Sequence, residues 1–476
     1  MASIDKQSIR EEFENVKAEY KRLSAKGNLP QEYHALFNTM FMLLGIVISI
    51  FMERTTKKNN KNSSIPSSQT EKDESSKNLT GSKSKGVEEI SGRSRNTRTV
   101  TSVKKLTVEN CEHCGEDLSS ISAMRHERRT KIDIIFEKVV THVDAEIKEC
   151  ENCGKQTKAV FPLDMPGPLQ YGRGIKAYMI NLLIAQMISL NRVQKMVKTL
   201  IGKIISEATI LKYVLQLYEA LEEWEQSAVE QLLKSPVIHA DETSLRVNKR
   251  NHWIHVYSSG NVTVKMLHEK RGVKAIEGIN IIPRYGGVII HDCWASYLSY
   301  EHCEHGLCGS HILRELTFVI DSNQYKWAAD MKLLLQETCK KVSKRKSKKL
   351  RAPEYEKLLD EYRNIIAAGE KELPPIPVKK IKGKRGKIAK SDAHNLLERL
   401  KLHEKAVLRF AQNAHVSFTN NRAERDLRMS KVKQKVSGCF RTEELAKAYC
   451  RISGYLQTMS YKGYNPLVAI QMALEN

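Results

Sequence analysis

The run from Pro236 to Asp292 constrains the fold more than any other part of the chain. It reads VIHADETSLRV, WIHVYSS and VTVKML, then the helix-forming GVKAIEGI, then the apolar GGVIIHD. Short β-branched and aromatic stretches bounded by turn-formers mark strands, and a helix between the third and fourth makes that connection a crossover. Three strands joined by tight connections, a crossover helix and a fourth strand describe a mixed α/β sheet. Asp241 follows the apolar SPVI and Asp292 follows GGVII, so each is expected at a strand end. If these strands are neighbours, the two carboxylates lie side by side. Their repulsion would raise the pKa of one of them unless a cation sat between, and hard oxygen ligands favour Mg2+ or Mn2+. A pair of such ions can activate a water on one side of a phosphorus and stabilise the leaving oxygen on the other.

Such a site needs a third carboxylate. The stretch FTNNRAERDLRMSK, residues 418–431, offers Glu424 on a basic helix, with Asn420 four residues before it and Arg428 four after it on the same face. An isolated Glu in this setting is more commonly a surface partner of arginine at i,i+4. Arg422, Arg425, Lys431, Lys433, Lys435 and Arg441 are expected to hold the phosphates of a polyanionic partner. Asp426, turned to another side of the helix from Glu424, is expected to form a surface ion pair.

Two Cys-x-x-Cys-Gly sequences, CEHCG and CENCG, place Cys111 with Cys114 and Cys150 with Cys153. Each forms a tight knuckle aiming two thiolates at one point, and two knuckles give tetrahedral S4 coordination of one structural Zn2+. Redox chemistry is the alternative, and His113 is a weaker candidate ligand. The strand-rich KIDIIFEKVVTHVDAEIKE between the pairs could form a hairpin that brings them together. A looser group, His291, Cys293, His302, Cys303, His305, Cys308 and His311, has spacing too irregular for a second zinc and reads mostly as packing or substrate contacts.

The remaining segments are ordered around these. Residues 1–54 read as an N-terminal helical region in which Tyr33, Leu36, Met40, Leu43, Val47 and Ile50 follow the seam of a short coiled coil that would pair chains. The apolar run 35–52 also approaches the length of a membrane span, though Asn38, Thr39 and Ser49 interrupt it. Residues 55–105 are too poor in apolar side chains to fold and read as a disordered linker. A zinc-binding module over 106–160 follows. Residues 165–235 are helical, broken at Gly202, with Ser206 as an N-cap; this segment is either a DNA-reading helix-turn-helix or plain packing. The sheet domain spans 236–440 and carries a basic helical insertion over about 322–405, with lysine-rich tracts at 340–351 and 378–387. A helical tail completes the chain at 441–476.

The 476 residues carry 78 Lys and Arg against 55 Asp and Glu, a net charge of +23. A basic excess spread along the chain points to a polyanionic partner. No secretory signal opens the sequence, so a reducing cytosol is expected, where metal binding outweighs disulfides for the paired cysteines.

HADET, IIHDCW, LCGSHILREL, FTNNRAERDLR and KQKVSGCFRTEELAKAYCRISGYLQT together resemble the motifs of the insertion sequence 66 family of DDE transposases, over roughly residues 105–470. The resemblance implies an RNase H-like catalytic domain whose acidic triad is Asp241, Asp292 and Glu424, preceded by a zinc module and an N-terminal coiled coil. It further implies transposition of a bacterial mobile element, with double-stranded DNA as substrate and target and two small accessory proteins as partners. His311 and Arg314 match a motif near the active site and Arg428 one beside the glutamate; orienting the scissile phosphate or offsetting its charge would suit them. The N-terminal run is more apolar than the family's usual leucine zipper. The alternatives are a zinc-containing DNA-binding regulator derived from a transposase and a metal-dependent nuclease without strand transfer.

Overall fold

The structure is a computed structural model that describes residues 6–25, 31–59, 61–63, 105–129, 137–376 and 390–475. Most of the expected linker and the whole lysine-rich tract at 378–387 lie outside the described residues. The chain divides into two compact units, one of residues 1–70 and 142–476 and one of residues 71–141.

In the larger unit, helices α1 (Lys6–Ala25) and α2 (Gln31–Thr55) open the chain. Phe13 and Tyr20 of α1 pack on Phe41 of α2, and Tyr20 also meets Phe37. The heptad seam lies on another face of α2, and Tyr33, Leu36, Met40, Leu43 and Val47 are exposed. Tyr33–Thr55 is long and apolar enough to cross a membrane. Its C-terminal half is nonetheless bound to the rest of this unit: Glu53 accepts the backbone N–H groups of Asp392 and Ala393 at 2.7 and 3.0 Å, and the Ser49 hydroxyl meets that of Tyr325 at 3.3 Å.

A small hairpin of β1 (Ile147–Glu149) and β2 (Gln156–Lys158) flanks the second cysteine pair. Of the segment 131–149, in which a hairpin between the two pairs is expected, residues 131–136 lie outside the described residues, and its last three residues form β1, which pairs with β2 across the second cysteine pair. Next come α3 (Arg173–Ile180) with a π-helical turn, α4 (Leu190–Ile201), α5 (Glu207–Ala220) and α6 (Glu222–Leu233). Gly202 ends α4 in the left-handed conformation, and the Ser206 hydroxyl caps α5 by accepting the N–H of Thr209 at 3.1 Å.

The sheet is built from β3 (Val237–Val247), β4 (Arg250–Ser259), β5 (Val262–His268), β6 (Val288–His291) and β7 (Glu304–Leu307), with α7 (Val273–Ile279) and the short α8 (Ala295–Leu298) in the connections. Its order is β5-β4-β3-β6-β7, with β4 antiparallel to both neighbours and β3, β6 and β7 parallel. Asn248 and Lys249 both take positive φ, which makes the two-residue turn between β3 and β4. Four of these strands match the sequence pattern; β7 is an addition.

After β7 follow α9 (Gly309–Asn323), α10 (Lys326–Lys344), α11 (Ala352–Glu372), α12 (Asp392–Leu402), α13 (Glu404–Gln412), α14 (Asn421–Ser437), α15 (Glu443–Tyr461) and α16 (Pro466–Ala473). Helices α9 to α13 bury Ile312, Leu316, Trp327, Tyr362 and Leu408 in one cluster with Val237, Val288 and Ile290 of the sheet. A second cluster joins Leu245, Val247, Ile254 and Val256 to Val193 and Leu217 before the sheet and to Ala446, Ile452 and Ile470 after it. Segments 165–235 and 441–476 therefore share a core with the sheet. α5 puts Ile210, Tyr213, Val214 and Leu217 into that core, which accounts for the periodicity of its sequence.

Candidate active site

The register of β3 against β6 runs Val237 to Val288, Ile238 to Ile289 and His239 to Ile290. Continued by two residues beyond the last pair, it sets Asp241 level with Asp292. Asp292 follows β6 directly, as expected. Asp241, however, sits inside β3 and not at its end, because β3 runs on to Val247 in pairing with β4. α14 then carries Glu424 to the same place. Burial pushes the Asp241 carboxyl well above its ordinary range, and the nearby Glu242, Asp292 and Glu424 push it further. Burial also raises Asp292; Arg271 opposes this and Glu424 adds to it. One Asp292 carboxylate oxygen, Oδ1, is buried with no hydrogen-bond partner among the described residues.

Three local structures hold Glu424 there. Asn420, at the N-cap of α14, donates from Nδ2 to the Ala240 carbonyl at 2.8 Å and accepts from His239 Nδ1 at 3.0 Å, tying the start of α14 to the strand residue before Asp241. Its backbone N–H reaches Cys308 Sγ at 3.1 Å, linking α14 to the start of α9. Two residues after Glu424, Asp426 anchors the helix to the sheet. Asp426 is 1 % exposed and accepts the hydroxyls of Ser258 at 2.6 Å, Thr263 at 2.7 Å and Tyr461 at 2.6 Å. The expected surface ion pair at Asp426 is thus corrected: Arg422 does approach it at 3.3 Å, but inside a buried network shared with β4, β5 and α15.

The basic residues of α14 separate into two groups. Arg425, Arg428, Lys431 and Lys435 are exposed, as is Arg441 beyond the helix. Lys433 is buried and donates to the Leu183 carbonyl at 3.4 Å, so the expectation that it meets DNA is withdrawn. Arg422 is half-buried, with its guanidinium 3.5 Å from the centre of the Tyr461 ring, and serves the Asp426 network. Glu424 pairs with neither arginine. It faces His311, whose Nδ1 lies 3.7 Å away and whose imidazole is pushed by burial down to about 4, so that it is neutral near pH 7. Arg314 is half-buried one turn along α9, with Nε donating to the Ser310 carbonyl at 3.2 Å.

Two residues beside the acidic group have no counterpart in the motif reading. Glu242 is buried next to Asp241, accepting the Tyr297 hydroxyl at 2.8 Å and Arg271 Nε at 2.9 Å. Arg271 lies against the rings of Trp253 and Trp294, 4.9 and 4.4 Å from their centres. The HADET sequence offered Glu242 as a fourth acid, but nothing nearby in sequence marked Arg271 as its partner.

The irregular cysteine and histidine group divides. His291 and His305 face each other at 3.0 Å, and the Cys303 thiol donates to the Tyr285 carbonyl at 2.9 Å, which is packing chemistry. Cys308 and His311 instead come together with Glu424.

The profile of the Transposase IS66 family matches residues 168–448, more than half of the chain. The chain belongs to the IS66 transposase family. Membership makes it a nucleic-acid-processing enzyme of a mobile element that binds DNA and suggests that it uses a divalent metal. The matched span includes Asp241, Asp292 and Glu424 and excludes both cysteine pairs. A comparison with curated proteins gives no match.

Each cysteine pair is a well-formed loop in its own right. Cys111 N–H donates to the Glu116 carbonyl at 2.9 Å and Gly115 N–H to the Cys111 carbonyl at 2.9 Å. Cys150 and Gly154 repeat the scheme, donating to Lys155 at 2.9 Å and to Cys150 at 2.8 Å. Gly115 and Gly154 take φ of +81° and +67°, a conformation glycine adopts without strain. Backbone N–H groups of His113 and Cys114 lower the Cys111 thiol, and those of Cys153 and Asn152 lower Cys150, so both favour the thiolate that binds metal.

Proposed function

We propose that the protein is a DDE-type transposase in which Asp241, Asp292 and Glu424 form the catalytic acidic triad of an RNase H-like domain. The observation that carries this reading is the level placement of Asp241 in β3 and Asp292 just past the end of its parallel neighbour β6, with Glu424 brought alongside by a separately anchored helix. The strand order β5-β4-β3-β6-β7, with only β4 reversed, supports the RNase H-like assignment. The residues fit divalent hard cations: three carboxylates converge, burial and repulsion penalise the ionised forms of Asp241 and Asp292, and Asp292 Oδ1 has no partner among the described residues. Two Mg2+ or Mn2+ ions, when bound, supply the Lewis acidity that activates a water or a 3′-hydroxyl and neutralises the leaving oxygen.

The chain's own residues supply position and charge. Asp241 and Asp292 are fixed by the register of their strands, and Glu424 by Asn420 and Asp426. Arg271, half-exposed and held by Glu242, brings a positive charge to Asp292 and, with Arg314, offsets charge developing on a scissile phosphate. Arg425, Arg428, Lys431, Lys435 and Arg441 offer phosphate contacts that hold DNA without reading its sequence. Hydrolysis at an element end would free a 3′-hydroxyl, and attack of that hydroxyl on target DNA would join the two. The exposed seam of α2 suits pairing with a second copy on DNA.

The test is to incubate the purified protein and Mg2+ with labelled DNA bearing the ends of its own element, alongside Asp292→Asn. Cleaved and joined products from the unaltered protein, absent with the variant, are expected; identical products from both would refute the assignment. Cleavage without joining would favour the nuclease reading.

A further inference from the structure

Glu424 has two chemically different sets of neighbours. Asp241 and Asp292 offer hard oxygen donors; Cys308, which precedes α9, and His311 in its first turn offer a thiol and an imidazole. Cys308 Sγ and His311 Nδ1 lie 3.9 and 3.7 Å from the same oxygen, Glu424 Oε1. All three donor atoms fall within 4.8 Å of one another. A nitrogen-to-oxygen distance of 3.7 Å is too long for a hydrogen bond, and His311 Nδ1 is buried without a partner among the described residues. These separations resemble those between ligands of one ion. Around a tetrahedral Zn2+, with bonds of about 2.0 Å to N or O and about 2.3 Å to S, neighbouring ligand atoms sit roughly 3.3–3.5 Å apart. The two separations to Glu424 Oε1 close with shifts of about 0.4 Å, for which the Glu424 side chain, a third exposed, has room; the Sγ–Nδ1 separation, within 4.8 Å, closes by up to about 1.3 Å through side-chain rotation of Cys308 and His311.

Ordinary packing explains part of this arrangement, since Cys308 Sγ accepts the Asn420 N–H and the residue begins a helix. It does not explain the partnerless His311 Nδ1 aimed at a carboxylate. One thiolate, one imidazole and one carboxylate form a borderline-soft donor set, which suits a Zn2+-class ion and suits Mg2+ poorly, because Mg2+ demands six oxygens in octahedral array.

We propose that Cys308, His311 and Glu424 form a second cation site, selective for a Zn2+-class ion, and that an ion bound there withdraws Glu424 from the acidic site and halts DNA cleavage. The site itself stands on the geometry of the three residues; its inhibitory effect rests on the proposed role of Glu424 in catalysis. Binding replaces the S–H bond of Cys308 by a sulfur–metal bond and releases that proton to solvent. The carboxylate and the neutral imidazole bind through existing lone pairs.

Co2+ serves as the probe, titrated into the full chain and followed by thiolate-to-cobalt charge transfer. The four paired cysteines are expected to take cobalt as well, so the readout is a difference. The unaltered protein is expected to take one more ion per chain than Cys308→Ala, with a difference spectrum of single-thiolate character, and His311→Gln is expected to lose the same ion. Thermal melting of both variants without metal checks that the fold is kept. Equal stoichiometry in all three proteins would overturn the site. In the cleavage assay with Mg2+, added Zn2+ is expected to inhibit the unaltered protein, with the inhibiting concentration at least about tenfold higher in Cys308→Ser, whose hydroxyl keeps an acceptor for the Asn420 N–H. Loss of one cobalt in Cys308→Ala together with unchanged Zn2+ inhibition of Cys308→Ser would overturn the switch and leave the site. Absence of Mg2+-dependent cleavage from the unaltered protein would refute the proposed function, while the cobalt count would still decide the site.

Discussion

Asp426 and Glu424 stand two positions apart on one helix and have opposite surroundings. Glu424 is a third exposed beside Cys308 and His311, whereas Asp426 is enclosed by three hydroxyls and a guanidinium. Local sequence could not separate them. Arg422 stands four residues before Asp426, just as Arg428 stands four after Glu424, and such spacing describes an exposed pair as well as a buried one. The deciding partners, Ser258, Thr263 and Tyr461, lie on other elements. Asp426 acts as a positioning residue whose loss loosens the seat of α14 on the sheet. Asp426→Asn keeps the shape and removes the charge that these donors complement. It is expected to destabilise the protein by about 2–4 kcal/mol, since hydrogen bonds to a buried charge are each worth roughly 1.5–3 kcal/mol. Chemical denaturation measures this, and a change within about 0.5 kcal/mol, as at an ordinary surface site, would contradict the buried network. Lys433 teaches the same lesson in reverse, since a lysine in a basic run turned out to be buried against a carbonyl of the preceding helical segment.

At the scale of elements, strands and helices with strong patterns were legible. The three antiparallel strands, the crossover α7 and β6 follow from alternation and turn residues, and the Ser206 cap and the Gly202 break were readable one residue at a time. β7 escaped because its sequence, EHGL, has no β-branched or aromatic residue. Its glycine has a packing cause: a Cβ on Gly306 would stand 3.1 Å from Val416 and 3.3 Å from Ile290. The cysteine loops were legible for a different reason. Cys-x-x-Cys-Gly encodes its own backbone, and both copies close with the same hydrogen bonds. We propose that the paired thiolates of these loops are ligands of structural zinc. Metal analysis of the purified chain is expected to find about one zinc, lost when Cys150 and Cys153 are both changed to Ser. A chain purified without chelator that holds no zinc would contradict this.

Across the whole molecule, the sheet brings together acids far apart in sequence, and helices that come before it and after it in the chain pack on it. That arrangement was only partly readable. Motif order indicated which carboxylates meet, but the sharing of one core by the helices before the sheet and those after it depends on packing that no local pattern encodes. α2 adds an outward feature. Leu36 and Val47 are 64 % and 61 % exposed on the side away from Phe41, an apolar stripe suited to a second copy of the chain. Light scattering after gel filtration is expected to give a mass above that of one chain, reduced by Leu36→Glu combined with Val47→Glu without a fall in melting temperature. An unchanged mass would remove α2 from assembly.

The central claim is that Glu424 completes a metal-holding acidic site on a surface that binds DNA by other residues. Glu424→Gln tests it most directly, in one experiment that follows both binding and Mg2+-dependent cleavage of labelled element-end DNA. Binding within about twofold of the unaltered protein and cleavage reduced at least about a thousandfold are expected, since removing a residue that acts in the transition state lowers turnover without removing ground-state contacts. Cleavage retained at a comparable rate by Glu424→Gln would contradict the account.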